Sequence, residues 1–137
     1  WKLSESPPDF GHGKRKLITE MSPASAFHNA SIPKMICRNA QSAQRTAIAE
    51  SVEVKTLCAA NNMIMELYRF APNITYPDHI HDGPEFVYLL EGSARQDGKW
   101  LEAGWASSAE TGTLDRGFLS GEKGCLTVAV YTRSKYI

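Results

Sequence analysis

From Val52 onward the chain is cut into short runs by residues that tight turns select, and this punctuation limits the fold more than any other feature. Asn61-Asn62, Pro72-Asn73, Asp82-Gly83-Pro84 and Asp97-Gly98 each combine residues that fix φ or tolerate positive φ, so each bends the chain back. Between them, Val52, Val54, Thr56 and Cys58 alternate with Glu53, Lys55 and Leu57, the period of an extended strand. Met63 to Phe70, Ile74 to His81, Glu85 to Leu90, Gly104 to Ser108, Thr113 to Leu119 and Cys125 to Tyr131 read as further strands. Asp97-Gly98 between Ala94-Arg95 and Trp100-Leu101 is a strong signal for a two-residue hairpin. Strands this short and evenly spaced, with no convincing helix between them, predict an all-β sandwich or barrel.

At 137 residues the chain has room for one compact domain, and its 42% hydrophobic content excludes disorder as the main state. Lys plus Arg and Asp plus Glu number 15 each, so no global field holds the chain on nucleic acid or an anionic membrane. The basic cluster Lys14-Arg15-Lys16 is short and reads as solvated, and no apolar run approaches the ~20 residues needed to cross a bilayer. No nucleic-acid or membrane partner is expected. Cys37, Cys58 and Cys125 are odd in number and widely spaced, which fits reduced thiols and a cytoplasmic protein rather than a disulfide framework. Beginning at Trp1, the chain reads as a trimmed or mature product.

The N-terminal stretch has a different texture. Pro7, Pro8, Gly11, Gly13, Pro23 and Pro33 interrupt it, while Trp1, Phe10, Leu17, Ile18, Met21 and Phe27 give it apolar surface to bury. We read residues 1–40 as an arm, lying across the domain or a neighbouring subunit or forming a mobile tail, and residues 41–137 as the β domain. Residues 39–50 fit two readings: a helix behind a cap at Asn39, or an entry strand from Thr46 to Val54.

The segment Pro77-Asp78-His79-Ile80-His81-Asp82-Gly83-Pro84-Glu85 carries the chemistry. On a strand, His79 and His81 project from one face about 6 to 7 Å apart, a separation from which two imidazoles can converge on one metal ion. The following turn sends the chain back, so that Glu85 opens a strand opposite the histidines and offers a hard oxygen. His12 in the basic arm and His28 in a Pro-flanked loop have no such setting.

His79-x-His81-x3-Glu85-x6-Gly92 resembles the first motif of the cupin superfamily, and Glu85-Phe86-Val87-Tyr88-Leu89-Leu90-Glu91-Gly92 resembles the strand that follows it there. Gly104, Gly112 and Asp115 fall on the Gly, Gly and His positions of the second cupin motif, while Glu110 replaces its Pro and Leu119 its Asn. Gly121-Glu122-Lys123-Gly124-Cys125 resembles the ChrR-like group, which holds anti-sigma-factor sensor domains and diketone- or acetophenone-cleaving dioxygenases. The resemblance covers residues 52–131. It implies a double-stranded β-helix, or jelly-roll, barrel with an N-terminal arm, a divalent metal ion, a small-molecule substrate and a homodimer. The implied ligands are His79, His81, Glu85 and Asp115, the last standing where the superfamily has its fourth histidine. Two imidazoles with up to two carboxylates suit Fe2+ first, with Mn2+, Ni2+ and Zn2+ as alternatives; should Asp115 lie at the surface, His79, His81 and Glu85 remain.

If Glu85 points inward, Val87 and Leu89 follow it, and Phe86, Tyr88 and Leu90 face out toward a subunit interface or the arm. Trp100 or Trp105 is expected to line the pocket, and Arg116 and Arg69 are candidate anchors for an anionic substrate. The expected function is a metal-dependent small-molecule enzyme, most concretely a non-haem iron(II) dioxygenase-like activity on a small carbonyl or phenolic compound. Isomerase or lyase chemistry is open, and the alternative is a non-catalytic ligand-sensing module.

Overall fold

The turn residues of the sequence fold as turns. A computed structural model describes residues 35–132, so the expected arm, apart from residues 35–40, lies outside the described residues. The chain forms β1 (Thr46–Ala49), β2 (Val52–Ala60), β3 (Met63–Phe70), β4 (His79–Ile80), β5 (Glu85–Gln96), β6 (Lys99–Glu102), β7 (Ala106–Ala109), β8 (Leu114–Asp115) and β9 (Leu119–Thr132). Among the described residues there is no helix. Asn61 and Asn62 both have positive φ, 50° and 65°, and close the β2–β3 hairpin; Asp97 and Gly98, at 45° and 78°, close β5–β6.

The main sheet runs β1-β2-β3-β9-β5-β6 with β7 also on β5, all antiparallel. The long strand β9 lies at its centre, and its residues Cys125, Thr127 and Ala129 are buried in alternation. Val52, Phe70, Leu89, Ala94 and Cys125 pack together as the core, with Tyr76 and Phe118 against them. Burial pushes the Cys125 thiol up to about 11, which keeps it protonated and inert.

Gly92, the glycine that ends the first motif, has a local physical cause. Register shifts between Leu89 and Glu91 and between Gly92 and Ala94 bend β5 against β9. Gly92 has φ 75°, and a methyl group on it would overlap the Gly124 carbonyl oxygen. A Cβ on Gly124, which has φ 72°, would likewise overlap the Phe70 carbonyl oxygen, so three strands meet where only glycine fits.

One segment resolves an open reading and another differs from expectation. Asn39 caps a turn, its Oδ1 accepting from the Gln41 N–H at 2.9 Å, and the chain then enters β1, which settles residues 46–49 as strand rather than helix. The strands expected over Ile74 to His81 and Thr113 to Leu119 shrink to β4 and β8, which pair only with each other, plus a bridge between Thr75 and Leu119. Pro77 cannot donate to a ladder, and Gly112 and Gly117 at positive φ bracket β8. This short ribbon carries His79 and Asp115.

Candidate metal centre

In β4 and β8, His79 pairs with Asp115 and Ile80 with Leu114. The pairing places the Asp115 carboxylate beside the histidine pair, while His81 follows directly after β4. The imidazole rings of His79 and His81 lie 5.0 Å apart between centroids. Asp115 Oδ2 is 4.0 Å from His79 Nε2 and 3.7 Å from His81 Nε2, and ligand atoms of the three residues all lie within 4.8 Å of one another. Donors sharing an ion at bond lengths of about 2.1 Å stand roughly 3.0–3.4 Å apart, so the trio needs only a small contraction to close on one. His81 is buried and His79 and Asp115 are half-buried, which leaves one side of the trio open to a cavity.

Two neighbours aim the donors. His79 Nδ1 is 3.0 Å from the Pro77 carbonyl, which can only accept, so Nδ1 carries the proton and Nε2 presents its lone pair to the centre. Gln96 Nε2, at the end of β5, donates to Asp115 Oδ1 at 2.5 Å and to the Arg116 carbonyl at 3.2 Å. With Oδ1 held, Oδ2 is left to face the imidazoles. An imidazole pair and a carboxylate, with His79 and Asp115 oriented from behind, form a donor set that fits a divalent ion.

Glu85 occupies a different place from the one its spacing suggested. It opens β5, which pairs with β9, β6 and β7 and not with the histidine strand; among the described residues the donors that lie within 4.8 Å of one another are His79, His81 and Asp115. It faces the same cavity, where burial pushes its carboxyl up from the ordinary range; His81 and His79 pull it down and Asp115 adds to the rise.

The cavity has a volume of about 340 Å³ and is lined by β3, β5, β7, β9 and the β4–β8 ribbon. Val87 and Leu89 line it behind Glu85, and Phe86, Tyr88 and Leu90 face outward, as period two requires. Of the two tryptophans, Trp105 lines the cavity; Trp100 is exposed beneath Arg95. Arg116 is exposed and bound to Asp97, and Arg69 lies on the opposite face of β3 from Tyr68 and Phe70, so neither candidate anchor reaches the cavity wall.

Sequence reasoning overlooked two features. Gln96 is one, and its signal is its parity with Ala94, which put it on the inner face just before the hairpin. The other is Glu66, buried on the inner face of β3, where it accepts from Thr56 Oγ1 at 2.9 Å, Tyr68 Oη at 2.8 Å and Tyr131 Oη at 2.6 Å. Its parity with Ile64, Tyr68 and Phe70 marks a carboxylate on an apolar face, which is stable only when bonded. Burial, then Glu66, pushes the Tyr131 phenol up to about 12, and burial raises Tyr68 as well.

No protein-family model and no curated protein matches the sequence. Solved structures do. An RmlC-like cupin from Shewanella frigidimarina superposes with a TM-score of 0.64 at 16% identity, covering 75% of this chain and 95% of that one. A candidate acetylacetone dioxygenase from Methylibium petroleiphilum gives 0.65 at 10% identity, over 75% of this chain and 80% of that one. A chain in the complex of Rhodobacter sphaeroides SigE with the anti-sigma ChrR gives 0.61 at 21% identity, over 70% of this chain and 51% of that one. The chain has the cupin fold.

Proposed function

We propose that the chain is a metal-dependent enzyme acting on a small organic molecule, with iron(II) as the ion and dioxygenase-like cleavage of a small carbonyl or phenolic compound as the reaction. The observation that carries this reading is the convergence of His79, His81 and Asp115 at the edge of a cavity. Two imidazoles and one carboxylate are the set that non-haem iron(II) oxygenases use with positions left open. When bound there, iron(II) would supply Lewis acidity and a one-electron path that side chains lack. The chain's own contribution is to aim the donors through the Pro77 carbonyl and Gln96, and to wall off water with Val87, Leu89 and Phe118. The fold shared with a candidate acetylacetone dioxygenase supports the reaction class. We also propose a homodimer through the outer face of β5, where Phe86, Tyr88 and Leu90 remain exposed; sedimentation of wild type and Phe86→Glu checks it.

Element analysis of protein purified without added metal should find a divalent ion that His81→Ala loses, and iron-loaded protein should consume oxygen with a member of a diketone and phenolic-ketone panel. Metallated protein that turns over nothing across the panel yet holds a ligand tightly would overturn the enzyme reading. It would favour a ligand-sensing module, the reading to which the similarity with the SigE–ChrR complex points.

A further inference from the structure

The cavity wall beyond the candidate ligands is built of rings. Tyr76 meets His79 edge-on at 5.8 Å, Phe70 meets Tyr76 edge-on at 5.9 Å, and Phe70 lies 4.7 Å from Phe118, all between centroids. An aromatic surface therefore runs without a break from a candidate metal ligand into the interior. Edge and offset contacts are the arrangements aromatic pairs prefer, each worth about 0.5–1.5 kcal/mol beyond area burial, so such a surface favours a further planar ring.

The charges facing that surface have one sign. Among the described residues, the charged side chains lining the cavity besides the histidines are the carboxylates Glu85, Asp97 and Asp115. Glu66 adds a fourth carboxylate directly behind Tyr68. Two cations lie near the wall without lining it: Arg116 is exposed and bound to Asp97 at 2.9 Å, and Lys99 Nζ sits 4.3 Å from the ring centroid of Trp105. Ser107, Ser108, Thr113 and Thr127 supply polar groups without charge.

We infer that this cavity selects uncharged ring compounds carrying two neighbouring oxygens at one edge, and rejects the same rings when they bear a carboxylate at the other edge. The inference rests on the metal centre proposed above for where the paired oxygens go. A carboxylate at the far edge would leave water for a surface of rings backed by Glu66 behind Tyr68, with no cation lining the wall there to replace its hydration. The volume of about 340 Å³ lies at the low end of the ~300–1,000 Å³ spanned by small-molecule pockets, which suits one or two rings.

The test compares catechol with 3,4-dihydroxybenzoate, which presents the same two oxygens and adds only the distant carboxylate. Calorimetric titration of cobalt(II)-loaded protein should give catechol at least a tenfold lower Kd, and Phe118→Leu should weaken catechol severalfold while metal content stays at the wild-type level. Equal or tighter binding of 3,4-dihydroxybenzoate overturns the inference. Metal content, measured separately, reports on the centre itself. If the protein takes up no cobalt, the metal reading fails alone, and the same pair is titrated into metal-free protein. There a tenfold preference for catechol still supports the selectivity, and parity or absence of binding overturns it.

Discussion

Gln96 bonds the oxygen of Asp115 that faces away from the imidazoles, so replacing it should weaken the metal centre without removing a donor. In Gln96→Leu the side chain keeps its bulk but loses both bonds, the 2.5 Å contact to Asp115 Oδ1 and the 3.2 Å contact to the Arg116 carbonyl. Groups that orient metal ligands are worth about 10–100-fold in affinity, or about 1.4–2.7 kcal/mol. The short contact and its second anchor place Gln96→Leu in the upper half of that range. Gln96→Glu should lose more, because it sets a second carboxylate at hydrogen-bond distance from Asp115. Competition against a chromophoric chelator with cobalt(II) measures the affinity, and the visible spectrum of the cobalt protein reports the change in coordination. Gln96 is partly buried and loses two bonds, one to a carboxylate, so the metal-free variant should lose about 1–3 kcal/mol of stability, read from the urea midpoint, and remain folded. If Gln96→Leu binds within about threefold of wild type while Asp115→Asn loses the metal, the carboxylate is held by its own backbone and the reasoning fails.

Gly92→Ala should destabilise by about 2–4 kcal/mol, the sum of a strained positive φ and overlap with the Gly124 carbonyl; the shift in urea midpoint measures it. Tyr131→Phe removes one of three donors to the Glu66 carboxylate and should cost about 1.5–3 kcal/mol by the same assay. The folded chain also binds the Tyr131 proton more tightly than the unfolded chain does. That stability is therefore complete below the ordinary value of 10.0 and is lost as pH rises toward about 12, so Tyr131→Phe should flatten the decline over that window. Of the three thiols, Cys37 and Cys58 should react at once with a disulfide reagent and Cys125 only after unfolding; fast reaction of all three would refute the burial of Cys125.

Turn chemistry made the main sheet legible in the sequence. Asn61-Asn62 and Asp97-Gly98 specify their hairpins by φ alone, and strict alternation assigned both faces of β5 from Glu85 to Leu90, ahead of its bulges. The i, i+2 spacing of His79 and His81 likewise needs only an extended backbone, local information that the sequence carries. Which strand lies beside them is not local. Glu85 was expected opposite the histidines because a turn joins the two segments, but β5 is drawn instead onto β9, where long apolar strands bury more surface. The histidine strand pairs instead with β8, which sets Asp115, the residue at the second-motif histidine position, opposite His79. Gln96 was hidden for the same reason: its partner is 19 residues away, and only the register of two hairpins brings the amide to the carboxylate.

The three converging donors belong to the least supported part of the fold, and this predicts how metal uptake should appear in the protein. β4 and β8 share the pairs His79–Asp115 and Ile80–Leu114, extended by bonds from the His81 N–H to the Thr113 carbonyl at 3.0 Å and from the Gly112 N–H to the His81 carbonyl at 2.7 Å. A two-stranded ribbon of this length is marginal by itself, so its amides should exchange by local opening well below the free energy of global unfolding. An ion held by His79, His81 and Asp115 would tie one strand to the other, and any opening that separates them must first release it. Binding to the closed state alone adds RT ln(1 + [L]/Kd), about 2.7 kcal/mol at a hundredfold excess over Kd, which slows exchange by about 100-fold. Hydrogen exchange with and without cobalt(II) should therefore show that protection at His81, Gly112 and Gly117, whose N–H is bonded to Asp78 Oδ1 at 2.9 Å. Little change is expected at Thr127 and Ala129 in β9, which the main sheet already holds. Metal bound at full stoichiometry with no added protection in the ribbon would mean that the ion sits elsewhere.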